Sequence, residues 1–196
     1  MQATPGASLT PEGAPPSAPD ATSQLPTRKL GLLTAAAGVA WAVDVVTKVV
    51  AVETLSDRPP VEVVPGVLDL TLTRNPGAAF SIGPGLTVML TVVAVVVVVV
   101  VLRLAVRVRD GLWAIALGLL LGGALGNLTD RLAREPGPFQ GHVVDFLRLP
   151  NWPVFNVADS CIVVAAVLIG VQAIRGIGLD GTRPHAADPP STRLTE

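Results

Sequence analysis

Residues 86–106 read LTVMLTVVAVVVVVVVLRLAV. From Leu86 to Leu102 there is no charge, and Thr87 and Thr91 are the only polar residues. Such a stretch has no polar stripe that a soluble helix could turn toward water. Its 21 residues suit a bilayer core of roughly 30 Å at about 1.5 Å of helical rise per residue. Working outward, residues 30–52, 111–129 and 154–174 read the same way. The four windows hold only Asp44, Lys48, Arg103 and Asp159 as charged residues and none of the 18 prolines. Backbone in lipid must satisfy its own hydrogen bonds within the segment, so all four windows are predicted to be helices. The expected class is membrane all-α, with four transmembrane helices.

Composition agrees. The chain has 196 residues, half of them apolar, 15% charged, with a net charge of −1. A soluble domain carries about 25% charged residues. An ordinary cytosolic enzyme is therefore disfavoured, as is a disordered chain. Without a basic excess there is no footprint for nucleic acid. Cys161 is the only cysteine, which excludes an internal disulfide and a cysteine-based zinc site. His142 and His185 read as solvated loop residues, and with scattered Asp they make no metal-ligand spacing. No metal and no cofactor is expected.

Residues 1–27 are rich in Pro, Ala, Ser and Thr and read as a disordered tail. Residues 28–175 form the membrane domain, and residues 176–196 a polar tail. Arg28 and Lys29 before an apolar run also fit a cleaved signal peptide, with Gly38-Val39-Ala40 as the cut. The apolar window continues well past that point, which suits an uncleaved span better. Arg28, Lys29, Arg103, Arg107, Arg109 and Arg175 flank the spans on one side, with Arg183 and Arg193 in the tail. This bias places both termini and the short middle loop in the cytoplasm and the two long loops outside. In loop 53–85, Leu68, Leu70 and Leu72 alternate with Asp69, Thr71 and Thr73, the period of a strand with one apolar face. A small extracytoplasmic β-element is expected there.

Five polar clusters gather at the outward ends of the spans. They are Asp44-x-x-Thr47-Lys48, Asn75-Pro-Gly-Ala-Ala-Phe80, Gly122-Gly-Ala-Leu-Gly126-Asn127-x-x-Asp130-Arg131, Val143-Val-Asp145-Phe146 and Phe155-Asn156-Val-Ala158-Asp159-Ser160. Ionisable groups inside a membrane are costly, about 2.5–3.5 kcal/mol each on insertion scales, and so are candidates for function. Each cluster also has a plain reading. Asp44 and Lys48 stand at i and i+4 and can be a local ion pair. Asn75-Pro-Gly can be a bare turn. Gly122-x-x-x-Gly126 can serve helix packing. Asn127, Asp130 and Arg131 can anchor a helix end, and Asp145 can be a loop acid. Asp159 is harder to dismiss, because it lies in an apolar window with no basic residue nearby in sequence.

There is no G-x-S-x-G elbow, no H-E-x-x-H and no phosphate-binding glycine loop. What remains is acids. Pro150 and Pro153 lie between Asp145 and Asp159, so the chain can turn back and bring the two carboxylates together. Such a pair in a low-dielectric site shares a proton. One carboxylate can then activate a water while the other hydrogen-bonds the scissile carbonyl. Asn127, Arg131 and Asn156 could orient the pair and the substrate.

The five blocks, in this order and with four spans, resemble those of the bacterial lipoprotein signal peptidase family (signal peptidase II) over about residues 29–175. The resemblance implies an inner-membrane aspartic endopeptidase. It would cut prolipoprotein signal peptides just before a cysteine that bears a diacylglyceryl group. It implies Asp145 and Asp159 as catalytic residues and Asn75, Gly122, Asn127, Arg131, Asn156 and Ala158 as shaping the substrate site. Asp44, Lys48 and Asp130 would support the structure. It further implies sensitivity to globomycin-like cyclic peptides. The expected partners are the prolipoprotein and the phospholipid bilayer, and the chain is expected to be a monomer. Two rival readings remain at the level of residues: a four-span proton-coupled transporter built on Asp159, and a non-enzymatic assembly protein packed through Gly122 and Gly126.

Overall fold

The structure is a computed structural model, and it describes residues 27–77 and 85–183. Residues 1–26, most of the Pro-rich tail, lie outside the described residues, as do Ala78–Phe80 of the second motif, His185 and Arg193. Among the described residues, seven elements follow in chain order. They are α1 (Leu30–Leu55), β1 (Val61–Val64), β2 (Leu68–Asn75), α2 (Gly85–Ala105), α3 (Gly111–Ala133), β3 (Val143–Arg148) and α4 (Val157–Ile174). All four helices are long and apolar enough to cross a membrane. The sheet is antiparallel in the order β1-β2-β3. The fold is therefore the expected four-helix membrane class with a small β-element.

Boundaries differ from the sequence windows in one informative place. The fourth window begins at residue 154, but α4 starts at Val157 with Asn156 as its N-cap. Asp159 thus stands in the first helical turn, not deep within a span. Valines 95, 96, 99 and 100 of α2 are 40–54% exposed, as a lipid-facing run should be. Val101 of the same run is buried in the core with Leu33, Ala37, Leu117 and Leu121.

α3 is the central helix, packed on α1, α2 and α4. Without water to expel, helices in lipid associate through close van der Waals contact, and small residues permit it. Gly118, Gly122 and Gly126 recur every four residues and form one stripe against α1. A Cβ on Gly118 would come within 2.7 Å of Ala36 Cβ and Leu33 O, and one on Gly122 within 2.6 Å of Ala37 O and Ala40 Cβ. A Cβ on Gly126 would run into the Asp44 carboxylate. Gly123 faces the other way, and its Cβ would lie 2.6 Å from the Ala158 carbonyl oxygen on α4. The Gly122-x-x-x-Gly126 spacing is thus a packing seam, and Gly123 extends it to α4.

At the end opposite the sheet, the chain beyond α4 folds back. The Leu179 carbonyl accepts from Arg109 N at 2.8 Å, and the Ile177 carbonyl accepts from Trp113 Nε1 at 2.9 Å. Asp110 Oδ1 caps α3 by accepting from Trp113 N, and it also accepts from Gln172 Nε2 at 2.7 Å. Packed chain therefore runs beyond the expected domain end at Arg175, as far as Leu179.

Candidate active site

β3 is buried on both faces at Val143–Phe146. Val144 and Phe146 join Ala51 and Leu55 of α1 in one apolar cluster. Strand side chains alternate, so Asp145 turns to the opposite face. On β2, Asn75 pairs with Val143 and Thr73 with Asp145. Asn75 and Asp145 are then diagonal neighbours on one face of the ladder, within side-chain reach. Asn75 Nδ2 donates to Asp145 Oδ2 at 2.8 Å. Asn75 Oδ1 accepts from Gly77 N at 2.8 Å, which fixes the amide's orientation. The Asn-Pro-Gly turn thus also has a task at the site.

α4 brings in the second carboxylate through a capping box. Asn156 Oδ1 accepts from Asp159 N at 2.9 Å, and Asp159 Oδ2 accepts from Asn156 N at 3.3 Å. The same Asn156 donates from Nδ2 to Asp145 Oδ1 at 2.6 Å and to Asn127 Oδ1 at 3.2 Å. Asn127 Nδ2 in turn donates to Asp159 Oδ1 at 2.8 Å. One fully buried asparagine therefore holds both carboxylates.

Beneath lies a buried ion cluster. Lys48 Nζ stands 2.7 Å from Asp44 Oδ2 and 3.0 Å from Asp130 Oδ2. It also donates to Asn127 Oδ1 at 3.0 Å. Asp44 Oδ1 accepts from Ala158 N at 2.8 Å, at the start of α4. Asp130 Oδ2 accepts from Val144 N at 3.1 Å, next to Asp145, and its Oδ1 pairs with Arg134. The i,i+4 pair expected from sequence is present, but Lys48 serves two acids and an amide, not Asp44 alone. The cluster ties α1, α3, β3 and the head of α4 together.

Burial, the largest cause, and the neighbouring Asp159 charge push the Asp145 carboxyl up, against the hydrogen bonds from Asn75 and Asn156, to about 6. A carboxyl buried among dipoles and beside a second carboxylate holds a proton longer than one in water. Asp159 is half-buried and lines a cleft of about 340 Å³ between α2, α3 and α4. Asn127 and Arg131 line it too, with Leu90, Val93 and Ala94 along α2. Arg131 is 7% exposed, and its Nη1 has no hydrogen-bond partner among the described residues. The structure thus gathers Asn75, Asn127, Arg131, Asp145, Asn156, Ala158 and Asp159, with Asp44, Lys48 and Asp130 directly behind.

The comparisons with known proteins decide the family. The family model described as Signal peptidase (SPase) II matches residues 36–175. The chain belongs to the signal peptidase II family. It is 50% identical over 152 residues to a lipoprotein signal peptidase of Rhodococcus jostii (strain RHA1), covering 78% of this chain and 77% of that one. It is 46% identical over 165 residues to that of Mycobacterium leprae (strain Br4923), covering 84% and 82%. A solved structure described as a bacterial membrane enzyme superposes with a TM-score of 0.69 at 24% identity, over 84% of this chain and 99% of that one. The latter shows a shared fold. A second of the same description gives a TM-score of 0.68 at 26% identity, over 78% and 98%. The protein is thus a membrane signal peptidase, and the transporter reading has no support.

Besides strand β3 and the Asp130 arm of the ion cluster, two features escaped the sequence reading. Gly123 approaches the carbonyl of Ala158, and its signal was the Gly122-Gly123 doublet in an apolar helix. Trp152 and Phe155 flank Asp159 in a second groove. Their only signal was a pair of aromatics beside the prolines that turn the chain.

Proposed function

We propose that this member of the family is an aspartic endopeptidase acting on diacylglyceryl-modified prolipoproteins. Asp145 and Asp159 activate one water between them. The ionised carboxylate takes a proton from the water as its oxygen attacks the scissile carbonyl. The protonated carboxyl hydrogen-bonds that carbonyl oxygen as the tetrahedral intermediate forms. The C–N bond then breaks as the dyad returns a proton to the leaving amine of the lipidated cysteine. Arg131 Nη1 takes a backbone carbonyl of the substrate, a role supported by its lack of a partner among the described residues. Asn127 and Asn156 hold the carboxylates in register, and Asn75 sets the charge state of Asp145. The observation that carries the proposal is Asn156, which donates to Asp145 while capping Asp159.

The arginine bias puts both termini in the cytoplasm and the sheet outside. The dyad then lies near the outer leaflet, where a signal helix and acyl chains would present the bond. Residues 1–27 and the end of the chain are read as cytoplasmic tails, and the working unit as a monomer. The test is cleavage by the purified protein of one prolipoprotein peptide with and without diacylglycerol on its cysteine. Release of a signal peptide ending just before the modified cysteine is expected from the first alone. Equal cutting of both peptides would remove the lipid from the substrate definition.

The dyad needs one proton, so kcat/KM should fall on the alkaline side with an apparent pKa near 6, where Asp145 loses it. The Asn75 hydrogen bond stabilises the ionised form. Asn75→Ala should therefore move that limb to higher pH, by about one unit for a lost charge-assisted bond. A pH–rate profile of the two proteins checks the sign, and a downward shift would contradict it.

A further inference from the structure

Asp159 stands on a ridge between two grooves. One is the cleft between α2, α3 and α4. The other, of about 290 Å³, is lined by Trp152, Phe155, Asp159, Ser160, Val163 and Val164. On a helix turning about 100° per residue, Ile162 lies to one side of Asp159, and Ser160, Val163 and Val164 to the other. The grooves thus flank the same carboxylate from opposite sides of α4. They differ in chemistry. The cleft ends on Asn127 and on the buried Arg131 guanidinium. Among the described residues that line the second groove, Asp159 at its head is the only charged one. Its wall is open along α4, with Val163, Val164 and Val167 at 62%, 48% and 59% exposure. Trp152, 64% exposed, stands at its mouth, in the manner of an aromatic at a membrane interface.

We propose that the groove beside Trp152 and Phe155 holds an acyl chain of the substrate's diacylglyceryl group, while the signal segment lies in the cleft between α2, α3 and α4. The inference rests on the proposed function and adds to it where each arm of the substrate goes. Two arms leave the scissile bond from adjacent residues: the signal peptide on the acyl side, and the lipid on the cysteine of the amine side. Both must approach Asp159, and they must diverge from it. A peptide backbone offers a carbonyl to Arg131 Nη1, which has no partner among the described residues, whereas a hydrocarbon chain would leave that donor dry and unpaired at a cost. In the open groove an acyl chain exchanges bilayer for valine, so hydrocarbon stays in hydrocarbon. The aromatic mouth then meets the glyceryl esters at interface depth.

The test uses the full-length protein in mixed micelles and two synthetic prolipoprotein peptides. One carries a dipalmitoylglyceryl cysteine and the other a dibutyrylglyceryl cysteine. Val163→Phe fills the groove from a lipid-facing position, and Val93→Phe fills the cleft. Val163→Phe should lower kcat/KM for the long-chain peptide about tenfold more than for the short-chain one. Val93→Phe should lower both alike. Val164→Phe blocks the same groove and should reproduce the selectivity if Val163→Phe does not fold. Equal losses from the groove variants, or a chain-length-selective loss from Val93→Phe, would overturn the assignment. If the unmodified protein cuts neither peptide, or if Asp145→Asn cuts both, the proposed function itself fails. That outcome is distinct from a wrong choice of groove.

Discussion

Asp145→Asn and Asp159→Asn should each lose prolipoprotein cleavage by at least about a thousandfold, since each removes a group that must take or give a proton. Asparagine keeps the shape of aspartate and most of its hydrogen bonds, so folding should survive. At Asp145, the amide can be oriented so that its oxygen still accepts from Asn156 or Asn75, which now bond separate oxygens at 2.6 and 2.8 Å. At Asp159, the cap from Asn156 Oδ1 to the backbone N–H is untouched. The two losses should not add. A water activated by two carboxylates is lost when either is lost, so the double variant should resemble the singles. Single-turnover cleavage of a lipidated peptide, with thermal unfolding in detergent as the control, reads both quantities. Activity within tenfold of the parent in either variant would contradict the assignment.

Lys48→Met should be the most destabilising single change in the site, by about 3–5 kcal/mol. Lys48 is 1% exposed, and its two acid partners are 0% and 3% exposed. Removing the cation strands two buried carboxylates. Asp130 retains Arg134, whereas Asp44 retains only its bond from Ala158 N among the contacts described. The damage should reach the chemistry as well. Lys48 donates to Asn127 Oδ1 and so turns Nδ2 toward Asp159. Without it Asn127 Oδ1 keeps only the longer bond from Asn156 Nδ2, at 3.2 Å, and the amide that donates to Asp159 is held less firmly. Lys48→Met with Asp44→Asn should recover part of the stability, because one uncompensated charge goes with it. Unfolding midpoints of the three proteins at one detergent concentration measure this. A Lys48→Met protein as stable as its parent would mean that the cluster contributes no net stability.

How far the sequence carried the fold follows from where the information lay. A valine run without charge leaves lipid as its only solvent, so α2 was legible from composition alone. The alternation of Leu68, Leu70 and Leu72 marked β2. β3 was not legible as a strand, because Val143–Phe146 is buried on both faces and shows no period of two. Asp145 is therefore legible in the sequence as one of the carboxylate pair but not as a strand residue. Its partner Asn75 lies 70 residues away and meets it only through the register of β2 on β3. The Asp44–Lys48 pair was local and visible. Its third arm, Asp130, needed the glycine seam of α3 against α1 to come within 3.0 Å. Asn156 carried a signal that could have been read further. An Asn three residues before an Asp at the start of an apolar run is a capping box, and it fixes the Asp159 backbone relative to Asn156. That the same amide also reaches Asp145 is a tertiary fact.

The claim at the centre is that the two carboxylates share one electrostatic field and one working proton. It is tested most directly by following the Asp145 carboxyl through a pH titration, using ¹³C-labelled aspartate in the purified protein and in its Asp159→Asn variant. The midpoint should lie near 6 in the parent and move down when the Asp159 charge is removed. A midpoint near the ordinary 3.8 in both proteins would mean that Asp145 neither is desolvated nor feels Asp159, and the dyad would not stand.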